Sequence, residues 1–308
     1  MSKKISIVGA GMTGSTTAHW MAERELADIV MVDIIEGMPQ GKALDMLEAM
    51  PVIGKDVSIT GSNDYVATEN SDIVVITAGL PRKPGMSRDD LLKINSDIVR
   101  KATDETLKVS PNAIYIILTN PLDSMCYVVL KSSGLPRERV IGQAGILDSA
   151  RMSAFVAMET GVSVQNINCY VLGGHGDSMV PLTRHSNIAG VPLNQMVPAD
   201  RLAAIVERTR KGGGEIVSLL KTGSAFYAPS AAIAQMAESI LKDRNLIVPA
   251  SIYLEGEYGL KDIFFGVPAQ LGKNGLEKVI EYNLNDAEKA ELKASAQHVS
   301  KTTAALTI

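Results

Sequence analysis

A histidine in a glycine frame and two charged residues upstream of it could together act on a carboxylic acid. His175 stands in the stretch Gly173-Gly-His-Gly-Asp177, and Asp148 and Arg151 precede it. An imidazole exchanges protons near neutral pH, and a neighbouring carboxylate favours its charged form. A guanidinium binds carboxylates through paired hydrogen bonds. The combination predicts proton transfer on an anionic substrate.

The spacing of Asp148 and Arg151 places both on one face at the start of a predicted helix. Such a pair is ordinarily exposed, but the apolar residues 146–147 and 152–155 favour burial of this turn. A buried carboxylate needs a partner, and His175 could supply it. Taken alone, a histidine is more often structural than catalytic. We therefore interpret the other three histidines as structural; they are His19, His185 and His298.

Short β-branched runs alternate with helical stretches in the first half of the chain. The predicted strands are residues 5–8, 29–33, 57–60, 72–77, 113–119 and 140–141. The predicted helices between them include residues 14–25, 41–49, 89–108 and 124–131. Several strands are apolar at consecutive positions, as in strands covered on both faces. The pattern predicts an α/β fold over residues 1–145, a doubly wound parallel six-stranded sheet of the Rossmann type.

Residues 146–308 are predicted to form a substrate-binding and catalytic α+β domain. Its predicted elements are a helix at 149–160, a strand at 167–172, a hairpin at 186–193, a helix after Pro198, a helix at 229–242, strands at 248–254 and 262–267, and a last helix toward residue 305. Asn285-Asp-Ala-Glu288 starts that last helix as a capping box. Gly212-Gly213-Gly214 interrupts a helical pattern, and both close helix packing and a break in the helix remain open.

A glycine-rich turn follows the first predicted strand and opens a helix. Its residues are Gly9, Ala10, Gly11, Met12, Thr13 and Gly14. Glycines at these positions permit a tight turn, approach of a pyrophosphate to the backbone, and close helix–strand contact. Asp33 ends the second strand, where an acid accepts from ribose hydroxyls and repels a 2′-phosphate. These residues predict an NAD site, and the alternative is a glycine-rich turn without a ligand.

Two further segments leave the carboxyl edge of the predicted sheet, where ligands of such sheets bind. Thr119-Asn120-Pro121 closes the fifth strand, and an ordinary turn is an equally good interpretation from the residues alone. The loop from Arg82 to Arg88 contains three cations, and is either a solvated basic turn or a lid that closes on an anion.

Composition excludes several classes of protein. The chain has 308 residues and a net charge of −4, with no long basic run to bind nucleic acid. No apolar run approaches the roughly 20 residues that span a bilayer, and the N-terminus enters a strand without a secretory segment. The two cysteines, Cys126 and Cys169, predict reduced thiols in the cytoplasm. No metal site is assigned.

The glycine turn, Asp33, the 82–88 loop, Thr-Asn-Pro, Asp-x-x-Arg and Gly-Gly-His-Gly-Asp resemble, in this order, the motifs of the lactate/malate dehydrogenase family. The resemblance covers residues 4 to 305. It implies that His175 is the general acid/base and that Asp148 stabilises its imidazolium. It implies that Arg151 binds the C1 carboxylate of a 2-hydroxy acid.

The resemblance also implies roles outside that trio. Arg88 would polarise the substrate carbonyl from the closed lid, and Asn120 would orient it. Asn95, Thr119 and Asn120 would contact the cofactor, NAD. Members of the family are dimers or tetramers, so a homodimer or homotetramer is expected, with the choice between them left open.

The expected substrate depends on Arg82. In the resembled family, the lactate enzymes have a neutral glutamine at this position, facing a methyl group. An arginine can pair with a second carboxylate, which predicts the dicarboxylates (S)-malate and oxaloacetate and the reaction of the tricarboxylic acid cycle. Lys83 is adjacent, so which of the two cations meets that carboxylate is open. The alternatives are a lactate or other 2-hydroxy acid dehydrogenase, and a non-catalytic dinucleotide sensor that would not need the trio.

Overall fold

The computed structural model describes residues 3–81 and 88–306, with side chains from residue 89 onward in the second range. Residues 82–87 of the predicted loop, with Arg82 and Lys83, and the side chain of Arg88 therefore lie outside the described part of the chain.

The first half contains the predicted parallel sheet. Its strands are β1 (Lys4–Val8), β2 (Asp28–Val32), β3 (Ile59–Ser62), β4 (Ile73–Ile76), β5 (Ile114–Ile117) and β6 (Val140–Gly142). Its helices are α1 (Met12–Glu23), α2 (Met38–Ile53), α3 (Arg88–Val109) and α4 (Leu122–Ser133). The strands lie in the order β6-β5-β4-β1-β2-β3 and pair in parallel. The prediction of a doubly wound six-stranded sheet is confirmed.

The order of the strands locates the ligand-binding edge. Successive strands run outward in opposite directions from β1 and β4, so a crevice opens between the carboxyl ends of these two neighbours. All four residues of β4 and all four of β5 are buried, which explains their unbroken apolar sequences. The motifs that leave this edge are the glycine turn after β1 and Thr119-Asn120 after β5.

The second half contains mixed structure. In chain order its elements are α5 (Gly145–Thr160), β7 (Ile167–Asn168), β8 (Val171–Leu172), β9 (Val180–Pro181), β10 (Asn187–Ile188), β11 (Val191–Pro192), α6 (Leu193–Met196), α7 (Ala199–Leu220), α8 (Tyr227–Leu241), β12 (Leu246–Glu255), β13 (Lys261–Gly272), β14 (Gly275–Val279) and α9 (Asp286–Thr303). The predicted hairpin is confirmed as β10 and β11, and the capping box of Asn285 and Glu288 starts α9. The predicted strand 167–172 is instead two short strands, because β7 pairs with β10 and β8 pairs with β9 in separate sheets.

The sheet does not end with the first half of the chain. β12 pairs antiparallel with β6, and β13 and β14 follow, which makes a nine-stranded sheet. The contact is close because Gly142 has no side chain: a Cβ there would lie 2.8 Å from the Cβ of Ser251. A strand of the second half therefore lies directly beside the nucleotide-binding sheet, a pairing that no local pattern could reveal.

Candidate active site

The turn that carries His175 is fixed by its backbone. Gly173 follows β8 with a φ of 91°, and Gly176 has a φ of 115°, conformations that strongly favour glycine. Gly173 exchanges two backbone hydrogen bonds with Gly266 of β13, at 2.9 and 3.2 Å. The N–H of Gly174 donates to Oγ of Ser295 on α9 at 2.9 Å. Two elements, β13 and α9, therefore hold the turn from outside it.

Asp148 lies between His175 and Arg151. One carboxylate oxygen, Oδ2, is 2.9 Å from Nδ1 of His175, and the other, Oδ1, accepts from Nη1 of Arg151 at 2.9 Å. The carboxylate is buried in the first turn of α5, where the helix dipole favours a negative charge. The structure thus brings the three residues together, and the interpretation of Asp148 and Arg151 as an exposed pair is wrong.

The pKa of His175 is set by opposing effects. Burial lowers the pKa, but the charge of Asp148, the hydrogen bond to it and the charge of Asp123 together raise the pKa above its ordinary value of 6.5. Since Nδ1 faces Asp148, Nε2 is the ring nitrogen left to meet a substrate. The imidazole can therefore carry a proton near neutral pH and donate it from Nε2.

Arg151 crosses the face of α7 at Gly212. A Cβ at Gly212 would collide with Cδ of Arg151 and lie 2.7 Å from its Nε. The helix is continuous through Gly212, Gly213 and Gly214, so the break considered from the sequence is wrong. Close packing is the reason at Gly212 alone, because a Cβ at Gly213 or Gly214 would meet nothing within 4 Å.

The glycine turn has the shape that a dinucleotide requires. A Cβ at Gly9 would lie 2.7 Å from the backbone nitrogen of Ala78, and one at Gly14 would collide with the carbonyl of Gly9. Gly11 faces open space and caps α1 without a side-chain hydrogen bond, so the first N–H groups of the helix remain available. Ala10, Met12 and Thr13 complete this cradle, and the donors fit a pyrophosphate.

Asp33 is fixed at the edge of that cradle. Its Oδ2 accepts from the backbone N–H of Ala10 at 2.8 Å, and its Oδ1 accepts from that of Ile35 at 3.0 Å. Each oxygen keeps a lone pair for a further donor. The carboxylate is partly exposed and is bonded to Ala10 of the glycine turn, which fits recognition of ribose hydroxyls.

The polar residues Asn95, Thr119 and Asn120 form hydrogen bonds with the segments that follow β4 and β5. The buried Asn95 of α3 accepts from the N–H of Leu80 at 2.8 Å, and its amide nitrogen donates to the carbonyls of Leu80 and Asn120. Thr119 donates to the carbonyl of Ala78 at 2.7 Å. Asn120 itself is exposed at this edge. The amide hydrogens of Asn95 therefore hold the edge together, whereas the side chain of Asn120 faces outward.

Sequence reasoning missed several residues that surround this site. Asp123 and Ser295 accept hydrogen bonds from the backbone of the His175 turn, and Ser251 donates to Asp123. Gln143, directly after β6, is fully buried, and its amide has no partner among the described residues. Gly212, which makes room for Arg151, is different, because the sequence marked it as a glycine inside a helical pattern, with close packing as one explanation. The others are common residue types whose contacts arise from distant parts of the chain.

Other predicted properties concern the whole chain. Cys126 and Cys169 are buried and free. Within residues 3–81 and 88–306, no helix is long and apolar enough to cross a membrane. The same residues hold no group of three or more His, Cys, Asp or Glu side chains that could bind a metal ion.

The fold and the site together define a dinucleotide-binding protein with a buried acid–base pair, the class of the nicotinamide-dependent dehydrogenases. A family model described as lactate/malate dehydrogenase, NAD binding domain, matches residues 3–142, and the alpha/beta C-terminal domain of the same family matches residues 146–306. The chain belongs to the lactate/malate dehydrogenase family.

Individual relatives match along the full chain. A malate dehydrogenase from Roseiflexus sp. (strain RS-1) is 59% identical over 306 residues, which are 99% of each chain. The crystal structure of Cryptosporidium parvum malate dehydrogenase is 45% identical with a TM-score of 0.96, covering 99% of this chain and 98% of that one. A lactate dehydrogenase from the same organism, complexed with lactic acid and nicotinamide adenine dinucleotide, is 40% identical with a TM-score of 0.95, again covering 99% and 98%. Fold similarity alone does not distinguish the two substrates.

The contact between Gly212 and Arg151 yields a prediction. Gly212→Ala should displace the Arg151 guanidinium and lower kcat/KM for oxaloacetate by about one to two decades, the worth of one charged hydrogen bond. The KM for oxaloacetate should rise, and the Kd of NADH should change less. Steady-state kinetics measure the first quantity and fluorescence titration measures the second. Gly213→Ala is the matched control, because its Cβ enters open space. Equal kcat/KM values for the two variants would contradict the account.

Proposed function

We infer that the chain is an NAD-dependent malate dehydrogenase, which transfers hydride reversibly between (S)-malate and NAD to give oxaloacetate and NADH. The observation that carries the reaction is the buried Asp148 carboxylate, bonded to His175 on one side and Arg151 on the other, whereas the choice of malate over lactate is supported by Arg82 and by the relatives. An imidazole, a carboxylate and a guanidinium in this arrangement are typical of a site that transfers a proton to or from an anionic substrate. The relatives named malate dehydrogenase along the full chain agree.

His175 supports the role of general acid and base. Asp148 fixes Nδ1, so Nε2 removes the hydroxyl proton of malate or returns it to oxaloacetate. When NAD is bound, its nicotinamide supplies the hydride chemistry. The glycine turn and Asp33 would hold the pyrophosphate and the ribose, and Asn95, Thr119 and Asn120 shape the edge beyond them.

The raised pKa of His175 gives the two directions opposite pH dependences. Reduction of oxaloacetate needs the protonated imidazole, which is present below its folded-state pKa and lost as the pH rises through it. Oxidation of malate needs the neutral imidazole and gains over the same range. A pKa above 6.5 therefore keeps the acid form available closer to neutral pH.

The arginines support recognition of a dicarboxylate. Nη1 of Arg151 is held by Asp148, and its other N–H groups remain for the C1 carboxylate of the substrate. The side chains of Arg88 and Arg82 lie outside the described part of the chain, and we assign them to carbonyl polarisation and to the second carboxylate, respectively. A desolvated arginine opposite the methyl group of pyruvate would be penalised.

Three further properties belong to the same proposal. The nucleotide-binding unit comprises residues 1–145 and the catalytic unit residues 146–308, meeting at the start of α5. The protein assembles as a homodimer or homotetramer, which the exposed apolar side chains of α2, among them Leu44 and Val52, support. It is cytoplasmic, in keeping with its two buried free cysteines.

The catalytic assignment predicts the behaviour of His175→Asn. The variant should lose about 100-fold or more in kcat in both directions, because a positioned general acid/base contributes roughly that factor. NADH affinity should stay close to that of the wild-type protein, since the cradle is formed by other residues. Stopped-flow hydride transfer and NADH fluorescence measure the two effects. Turnover that survives the change would refute the assignment, and a chain that binds NADH without turnover even as wild type would be a dinucleotide sensor.

The substrate assignment predicts the behaviour of Arg82→Gln. The wild-type protein should prefer oxaloacetate to pyruvate in kcat/KM, and NADH to NADPH. Arg82→Gln should reduce the preference for oxaloacetate by about one to two decades, because one charged hydrogen bond is removed. Lys83→Gln is the neighbouring control and should change it little. A wild-type preference for pyruvate would identify a lactate dehydrogenase, and a larger effect at Lys83 would shift the assignment by one residue.

A further inference from the structure

A second buried carboxylate lies behind the His175 turn. Oδ2 of Asp123, in the first turn of α4, accepts from the backbone N–H of His175 at 3.1 Å. Oδ1 of Asp123 accepts from Oγ of Ser251 on β12 at 2.6 Å. A Cβ added at Gly174 would lie 3.5 Å from Oδ2, so the carboxylate sits directly under the turn. Asp123 is only 6% exposed.

These contacts join two parts of the chain whose relative position matters for the reaction. Asp123 lies three residues after Asn120, on the helix that follows the cofactor edge of the sheet. His175 and Ser251 both come from the second half of the chain. The carboxylate therefore connects the helix that follows the Thr119-Asn120 edge of the sheet with the turn that carries the acid/base.

We propose that Asp123 is a positioning residue for His175, which anchors the catalytic turn to the nucleotide-binding half and supplies a second negative charge behind the imidazole. The proposal rests on the assignment of His175 as the general acid/base. The two carboxylate oxygens of Asp123 are bonded to His175 and Ser251. Asp123 acts through its hydrogen bond to the backbone of His175 and through the electrostatic effect of its charge on the imidazole.

The charges that His175, Asp148, Arg151 and Asp123 carry balance when Asp123 is ionised, whereas Asp177 at the end of the turn is exposed to solvent. Asp148 and Asp123 carry negative charges, and Arg151 and protonated His175 carry positive ones. Of the neighbouring elements, α4 also presents the Cys126 thiol, whose pKa is raised well above its usual range, first by burial and then by Asp123. β12 and α9 contribute the neutral hydroxyls of Ser251 and Ser295. A buried group of charges is tolerated when it is paired in this way.

Protonation of Asp123 is coupled to that of His175. Burial raises the pKa of Asp123 to about 6, against the hydrogen bond from Ser251, the charge of His175 and its backbone N–H. The carboxylate is therefore ionised in the range where His175 must hold its proton. Removal of this charge lowers the pKa of His175, because Asp123 is one of the groups that raise it.

The test is the pH profile of Asp123→Asn. Asparagine keeps the shape, accepts from the N–H of His175 and donates to Ser251, so only the charge is lost. The alkaline limb of kcat/KM for oxaloacetate should move to lower pH by on the order of one unit, as removal of one nearby charge produces. The rising limb for malate should move the same way, and NADH affinity should be unchanged.

Two variants separate the effect of the Asp123 charge from the effect of its hydrogen bond to the His175 turn. Asp123→Ala should show the same displacement of the limb and, in addition, a plateau kcat roughly tenfold lower, because the turn loses a backbone hydrogen bond to a charged acceptor. Asp177→Asn removes an exposed charge two residues from His175 and should displace the limb less, since solvent screens it. Coincident limbs for Asp123→Asn and wild type, or an equal displacement in Asp177→Asn, would overturn the proposal.

A measurement on the wild-type protein covers the case of a variant that does not fold. The carboxyl carbon resonance of Asp123 and the imidazole resonances of His175 are followed by NMR against pH. Both should report a common step near the titration of Asp123. An imidazole that does not respond to that step overturns the proposal. A wild-type protein without turnover would contradict the proposed function instead, and this coupling would still decide the role of Asp123.

Discussion

The site depends on one buried carboxylate that serves two cations. Asp148 is 1% exposed and bonds His175 and Arg151 through different oxygens. Leaving such a group buried without partners would be strongly destabilising. The carboxylate therefore orders both cations at once, and the imidazole and the guanidinium are held at a fixed separation before any substrate arrives. Preorganisation of this kind lowers the cost of bringing reacting groups together.

The rest of the fold is arranged to keep that carboxylate and its partners in place. Gly173 and Gly266 join the His175 turn to the long antiparallel strands, and those strands extend the parallel sheet through β12 and β6. The cofactor cradle follows β1 of this nine-stranded sheet, and the His175 turn is tied to β13 of the same sheet by the hydrogen bonds between Gly173 and Gly266. Glycine recurs wherever two segments must come closer than a Cβ allows, at Gly142 beside Ser251 and at Gly212 beside Arg151.

Much of this could be predicted from the sequence, and the remainder has a common physical cause. The parallel strands were recognisable because burial on both faces demands consecutive apolar residues, as in β4 and β5. The Asp148–Arg151 pair followed from helical spacing and apolar neighbours. The pairing of β12 with β6 and the contact of Asp123 with His175 join residues far apart in the chain. Local sequence periodicity does not reveal contacts between distant residues. The sequence therefore predicted the catalytic residues better than the residues that hold them in place.

Asp148 sets the protonation of His175. The most direct test is an NMR titration of the His175 ring nitrogens in the folded wild-type protein and in Asp148→Asn. The account predicts a wild-type pKa above 6.5, a neutral form with its proton on Nδ1, and a lower pKa in Asp148→Asn. A wild-type pKa below 6.5, or the same pKa in both proteins, would contradict it.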